Sequence, residues 1–503
     1  MSYSYIKTPR SISINSLEQN EYNLSSSQYM DLVIPNKNYL YIKDFLSRPL
    51  KRSDLGLEVG SINYIGKSSY YFLRTKALQP HSFLPEITFE SALPILPKAF
   101  HNANLKEGDL LISKDSNIGE IVILDKDYPN HMLSGAIYKL PVTKHKYYLL
   151  AFIKHQIFRE QIDFIVPKGA TIRHAKTMFL DCKIPIPNTN TDDTIEFVEL
   201  LTKAIINKEK LIKQKHSDIL KTFETELEEN QKPNKFKFDF PTINEVSEIG
   251  RLDTSRYSKK YKLYEFLIKN YKHGHFKLSD YGYKPKRGQN LQLSNIGQSF
   301  YSDAYHKGFY KLAVSSNFSE YSTIEKLTYL GNKRDLSSIK KGDIVFSARG
   351  AQFGRVVVFP ENVDNTITNI DSLVLQSNKN NLTRSIFIAL FLNNLRWNRH
   401  IYDIAIKGSG ANSLTQYQVD DINFPNFPED KQKEIAKLYY NTNIKDYISK
   451  CTLDNFLTAD NAYNEQAGIY ELDKTGKKLK MKLNQAIEDI INDKQVNISF
   501  DFT

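Results

Sequence analysis

Apolar positions along the chain follow two regimes. Between Asp192 and Asn230 they keep helical spacing: Val198, Ile205, Ile212 and Ile219 recur every seven residues, with Leu201, Glu209, His216 and Phe223 at or near the alternate seam. Leu200, Leu211, Leu220 and Leu227 widen the stripe, and the stretch holds neither Gly nor Pro. Such a pattern predicts one long helix packed along another, a rod of roughly 55 Å at ~1.5 Å per residue. In the flanking regions, short β-branched runs bracket polar turns. LLIS precedes IGEIVIL, and IVFS precedes GRVVVF, so each pair predicts a hairpin. Helical spacing returns at about 147–162 and 384–402, predicting helices packed on a sheet in compact α+β modules. After residue 428, Glu429–Lys450 reads as helix, residues 451–476 as a hinge or hairpin, and Lys477–Asp493 as helix again.

The two halves repeat in order. SLEQNEY (Leu17, Glu18, Tyr22) answers RLDTSRY (Leu252, Asp253, Tyr257), and FLSRPLKR around Pro49 answers YGYKPKR around Pro285. KEGDLLISKDSNIGEIVIL (Gly108, Asp109, Ser113, Gly119) answers KKGDIVFSARGAQFGRVVVF (Gly342, Asp343, Ser347, Gly354). LLAFIKHQIFREQI answers IFIALFLNNLRWNRHI, and Lys168-Gly169 answers Lys407-Gly408. The offset drifts only between 234 and 239, which predicts two copies of one module, each closing on a Pro-containing stretch, Ile184–Pro187 and Phe424–Pro428. The expected division is residues 1–190 for the first module, 191–231 for a spacer helix, 232–428 for the second module and 429–503 for a second helical region.

Charge follows this division. Residues 1–191 carry +6 and residues 231–428 carry +11, whereas 192–230 carry −4 and 429–503 carry −2. Two cationic modules joined by acidic connectors fit two polyanion-binding units. At 503 residues and 41% apolar content the chain is globular, with room for two to four domains. No apolar run reaches the ~18–20 residues of a membrane span, and the start lacks a signal peptide's apolar core. Cys182 and Cys451 are far apart, which argues against a disulfide framework or a zinc site and for a cytoplasmic location. There is no GxxxxGK[ST] loop, HExxH pair, Asx-Pro-Pro-aromatic tetrapeptide or nuclease-like carboxylate set, so the chain reads as non-catalytic.

Candidate contacts cluster at matched places. The hairpin turns offer Lys114 and Asn117 in the first copy and Arg349, Gln352 and Arg355 in the second. The Lys-Gly loops offer Lys168, Thr171, Arg173 and Lys176, and Lys407, Ser409, Asn412 and Gln416. Lys67 lies upstream in the first copy, and Lys284, Lys286 and Arg287 in the second. Arg, Asn and Gln can bond a base edge in two places, whereas Lys, Ser and Thr mainly hold phosphates. Singly, each residue fits a solvated surface side chain equally well; as a doubled set they predict contact with double-stranded DNA.

These features resemble the specificity (S) subunit of type I restriction–modification systems: tandem Gly-Asp-strand-Ser-turn-Gly-strand hairpins, Lys-Gly loops, and a long helix after each module. PEDKQKEIA, from Pro428, is similar to the family's Pro-x-x-x-Gln-x-x-Ile end-of-module signature, whereas IPIPNTNTDDTIEF lacks it. The resemblance spans nearly the whole chain. It implies two tandem α+β target-recognition domains, each a small sheet plus helices, separated by long helices paired as an antiparallel coiled coil. Each domain would read half of a split target, two methyltransferase (M) subunits would dock on the helices, and motor–nuclease (R) subunits would join them. S-adenosylmethionine, ATP and Mg²⁺ would belong to those partners, with no cofactor in this chain. The competing readings are the recognition subunit of a type IIB-like methyltransferase–nuclease system and a stand-alone nucleic-acid-binding regulator. Residues 467–472 (AGIYEL) fit either a partner-binding loop or a turn.

Overall fold

The two Gly-Asp pairs open their hairpins by the same local chemistry. Gly108 and Gly342 sit at φ +82° and +85°, where a Cβ is unfavourable. The Asp109 and Asp343 carboxylates accept the backbone N–H of Lys106 and Lys340 at 2.8 and 2.9 Å, closing the turn. Strand Leu110–Ser113 then runs antiparallel to Ile121–Ile123 and to Ile137–Leu140. Strand Ile344–Ser347 does the same with Val356–Val358 and Ser372–Ser377. These central strands are buried on both faces, so their apolar runs are continuous rather than alternating.

Beside each hairpin lies a second small sheet. Tyr71–Leu73 pairs antiparallel with Ala92–Pro94 and parallel with His131–Leu133. Tyr310–Leu312 pairs antiparallel with Thr328–Gly331 and parallel with Thr366–Ile367, and this sheet gains an edge strand, Phe300–Ser302. A third pairing closes each module: Tyr39–Tyr41 with Lys183–Pro185, and His275–Phe276 with Phe424–Pro425. Three matched pairings in the same order establish the internal repeat.

The computed structural model describes residues 5–24, 29–165, 176–350, 352–379, 381–407, 412–444, 447 and 451–501. The chain folds into two units: residues 1–211, 445–465 and 474–503, and residues 212–444 with 466–473. The central helix, Thr191–Glu229, runs unbroken for 39 residues and contributes to both. In the first unit its Phe197, Val198, Leu201 and Ile205 share a core with Leu479, Leu483 and Ile487 of the C-terminal helix Ile469–Ile491. The two helices are antiparallel there. Asn188, just before the central helix, bonds Asp493 just after the C-terminal one (2.7 Å), while Glu209 meets Lys480 (2.7 Å). In the second unit Phe223 packs its ring against Phe387, Phe391 and Phe427.

Several expectations are corrected. The helices expected at about 147–162 and 384–402 are each two pieces, Lys146–Lys154 with Gln156–Ile165 and Leu382–Trp397 with His400–Ile404. His155 is extended, its Nδ1 accepting the Ile157 N–H, and Arg399 adopts φ +63°. The helix from Glu429 ends at Tyr439, well before Lys450, because Tyr440 is extended. Residues 451–476 are largely helical: Phe456–Gln466 is a helix, and Ala467-Gly468 turns directly into the C-terminal helix. A Cβ on Gly468 would lie 2.5 Å from the Tyr439 carbonyl group, and Glu471 accepts the Gly468 N–H at 2.9 Å. The stretch 467–472 is therefore a capped helix start. Finally, the first sequence match does not superpose. Leu17 and Glu18 lie in the short helix Ile14–Gln19, whereas Leu252 and Asp253 lie in irregular backbone.

Candidate nucleic-acid interface

The polar turn of each hairpin is built on a shared frame. Ser113 N–H bonds Glu120 O and Gly119 N–H bonds Ser113 O, at 2.9 and 2.8 Å; Ser347, Arg355 and Gly354 repeat this at 2.7 and 2.9 Å. Both glycines are left-handed, at φ +79° and +80°. A Cβ on Gly119 would lie 2.7 Å from Phe158, and one on Gly354 would lie 3.0 Å from Ile401. The glycines thus let the turn sit directly on the helix behind it. The buried Ser113 and Ser347 hydroxyls each bond the carbonyl two residues on, at Asp115 and Arg349.

In the second unit several candidates converge on this frame. Arg349 is exposed and its backbone bridges Ser413, while Asn412 pairs with Lys407 across the short Ile406–Lys407 and Asn412–Ser413 strands. Gln416 donates to Pro285 O (3.1 Å), which joins that segment to the edge strand Tyr283–Arg287. Lys284 and Lys286 are exposed on this strand, because alternate residues point outward and Pro285 needs no ladder donor at a sheet edge. Arg287 reaches Leu414 O (3.3 Å). Burial, and then the neighbouring charge of Arg349, pull the Arg287 pKa below its ordinary value, with Asp371 opposing. Among the described residues, Lys284, Lys286 and Arg349 have no carboxylate within ion-pair distance. Gln352 is half-buried in the same turn.

Arg355 is a correction. It points inward, donating to Phe318 O and to Glu320 at 2.5 Å, with its side chain 13% exposed, so it braces the hairpin instead of facing outward. Sequence position misled because its partner Glu320 lies 35 residues upstream, outside the turn.

The first unit gathers less. Lys114 pairs with the adjacent Asp115, and Asn117 is half-buried, its amide 3.5 Å from Thr75 O. Lys67 is exposed in the turn before Tyr71–Leu73, on the other sheet. Lys176 is exposed at φ +48°. Lys168, Thr171, Arg173 and Ser409 lie outside the described residues. One contributor was missed from sequence. Arg251 donates to Ile404 O and Ala405 O, beside the Ile406–Lys407 strand; the match of Arg251-Leu252-Asp253 to Ser16-Leu17-Glu18 was its only signal.

No group of three or more His, Cys, Asp or Glu among the described residues is placed to hold a metal ion. No helix among them is long and apolar enough to cross a membrane.

A duplicated α+β module on paired long helices, with an unneutralised basic turn beside amide side chains, defines a tandem recognition protein. The family model described as Type I restriction modification DNA specificity domain matches residues 57–237 and 292–442, once in each repeat. The chain belongs to this family and is a DNA-recognition subunit of the type I restriction–modification class. Among solved structures, it is similar to a type I restriction–modification S subunit from M. genitalium (12% identity, 90% of this chain and 95% of that one, TM-score 0.40). It is also similar to the HsdS subunit from Thermoanaerobacter tengcongensis (11% identity, 90% and 96%, TM-score 0.25). A third similar chain comes from work on complex assembly and conformational transition of the type I R-M system (12% identity, 92% and 99%, TM-score 0.27). No curated protein matches.

Proposed function

We propose that each module reads one half of a bipartite double-stranded DNA target and that the chain itself performs no chemistry. On this reading two methyltransferase subunits dock on the helical segments and motor–nuclease subunits join them. S-adenosylmethionine, ATP and Mg²⁺ are bound by those partners, and the assembly works in the cytoplasm. The observation that carries the reading is the second unit's surface. Lys284 and Lys286, a side-chain type that holds phosphates, and Arg349, a type that can bond base edges as Asn412 and Gln416 can, form no ion pair among the described residues. Discrimination then arises because a wrong base leaves a committed donor or acceptor unpaired, at about 1–3 kcal/mol per mismatched pair.

The test is methylome sequencing of cells carrying the intact chain or Arg349→Ala. A split motif in the first and relaxation at one half only in the second are expected. Equal loss at both halves, or an undivided motif, would overturn the modular reading.

A further inference from the structure

The Arg251-Leu252-Asp253 stretch stands out because its sequence counterpart does not share its structure. Ser16 occupies the position of Arg251 by the offset of 235, and its hydroxyl lies 2.9 Å from Ser13 within a short exposed helix. Arg251 does something different. Its Nε and Nη2 donate to the two oxygens of Asp253 at 2.6 and 2.7 Å, a two-point pairing that fixes the guanidinium plane. Ser255 donates to the same carboxylate (2.9 Å), and the Tyr257 hydroxyl donates to Arg251 O. The remaining donors reach across more than 150 residues of sequence: Nη1 to Ile404 O, and Nη2 to Ala405 O at 2.7 Å. Those carbonyls close the helix His400–Ile404, where unpaired acceptors favour a cation. The side chain is 17% exposed and four of its five N–H groups are engaged, so it is spent on geometry and not offered to solvent.

The clasped point is one residue before the strand Ile406–Lys407, which pairs with Asn412–Ser413. Ser413 bridges Arg349, and the Leu414 N–H bonds Ala348 O at 3.0 Å. A single fixed guanidinium therefore anchors the backbone from which both the Asn412 strand and the support of the Arg349 turn depart. Resting on the reading of this surface as a half-site reader, we propose that Arg251, held by Asp253, is a positioning residue that sets where Asn412 and Arg349 meet the DNA.

The experiment uses the full chain with Arg251→Gln, Arg251→Lys and, as reference, Arg349→Ala. In the free protein, hydrogen exchange at the Leu414 amide is expected to quicken on the order of tenfold in Arg251→Gln, while the amides of Val345 and Val374 keep their rates. In competition binding, discrimination against a mismatched second half-site is expected to fall about 5–100-fold, the scale of one lost bidentate base contact. Discrimination at the first half-site and affinity for unrelated duplex stay as they were. Arg251→Lys is expected not to rescue, because an ammonium cannot hold Asp253 and two carbonyls in one plane. Three results would overturn the proposal. Unchanged Leu414 exchange with unchanged discrimination removes the positioning role. Faster exchange throughout the unit, with both half-sites weakened alike, reduces Arg251 to a fold-stabilising residue. If Arg349→Ala affects neither half-site, the half-site reading itself falls and the inference goes with it; if it affects one half-site while both Arg251 variants affect none, only the inference falls.

Discussion

The residue following the left-handed glycine of each hairpin occupies the same place in the fold but carries opposite charge. In the first unit it is Glu120, which takes Arg159 directly and has Lys154 at 3.8 Å. In the second it is Arg355, and Glu320 is interposed to hold both Arg355 and Arg396. Burial alone would raise the Glu320 pKa, but Arg396 and Arg355 outweigh it and leave the carboxylate below its ordinary range. At this position a charge of either sign is answered inside the fold, by cations in the first unit and by an interposed carboxylate in the second. A direct pair can relax toward solvent, since Arg159 is 34% exposed; the triad, with all three side chains at 11–14%, cannot.

The largest expected effect follows from that contrast. Glu320→Ala leaves two buried guanidiniums uncompensated and is expected to destabilise the second unit by about 3–5 kcal/mol. Glu120→Ala should cost less, about 1–3 kcal/mol, because Arg159 can turn outward and Lys154 keeps its bond to Gln79 O (2.7 Å). Urea midpoints of the two variants decide the matter; equal losses would mean that interposing Glu320 makes no energetic difference.

How much of this was legible in sequence depends on how local the cause is. The Gly-Asp turns, the Ser-to-Gly frame and the central helix were readable, because glycine stereochemistry and apolar spacing act within a few residues. The helix breaks at His155 and Arg399 were not: His155 meets Glu488, more than 300 residues away in sequence, at 3.4 Å, and the left-handed backbone of Arg399 interrupts an otherwise continuous helical pattern. Arg355 was misassigned for the same reason: Glu320 lies 35 residues upstream and nothing in the turn announces it. The helix Phe456–Gln466 was hidden by its polar buried face. Asp460 and Asn464, both buried, bond Lys208 at 2.7 and 2.6 Å, so the apolar stripe that marks a packed helix is missing.

A second contrast lies along the central helix, where Glu209 and His216, one heptad apart, each tie the helix into its own unit. Glu209 accepts the Phe83 and Leu84 N–H groups at 2.8 and 3.3 Å. The His216 Nε2 lies 2.9 Å from Asn393 Oδ1, between the rings of Tyr321 and Trp397. Burial pushes the His216 pKa down to about 4, against an ordinary 6.5, with Asn393 and Glu320 opposing and Arg396 adding to the fall. The folded state therefore stays neutral where the unfolded chain takes up a proton. Its contribution is complete above pH 6.5 and is lost progressively as pH falls toward about 4, with a slope of at most about 1.4 kcal/mol per pH unit. His216→Gln should flatten that part of the stability curve between pH 6.5 and 5, by about 1–2 kcal/mol relative to the intact chain. An unchanged curve would place the acid sensitivity elsewhere.

The smallest expected effect concerns the segments around Pro49 and Pro285, which match in sequence and diverge in structure. In the second unit this segment is the edge strand Tyr283–Arg287, with Lys284 and Lys286 exposed. In the first, Asp54 diverts it into a bend, accepting the Lys51 N–H at 2.7 Å and both terminal nitrogens of Arg48 at 2.7 and 2.6 Å. Only isolated bridges at Leu46 and Leu55 remain where the strand would pair. Lys284→Ala and Lys286→Ala are each expected to shallow the salt dependence of DNA binding by about 0.9 in log–log slope while leaving sequence preference intact. Arg48→Ala should leave the slope alone, because its charge is already answered by Asp54. Titrations across a salt series separate the two. An equal change for Arg48 would show that the bend also reaches phosphate, and the asymmetry between the modules would then lie in backbone shape alone, not in which cations are free to meet the duplex.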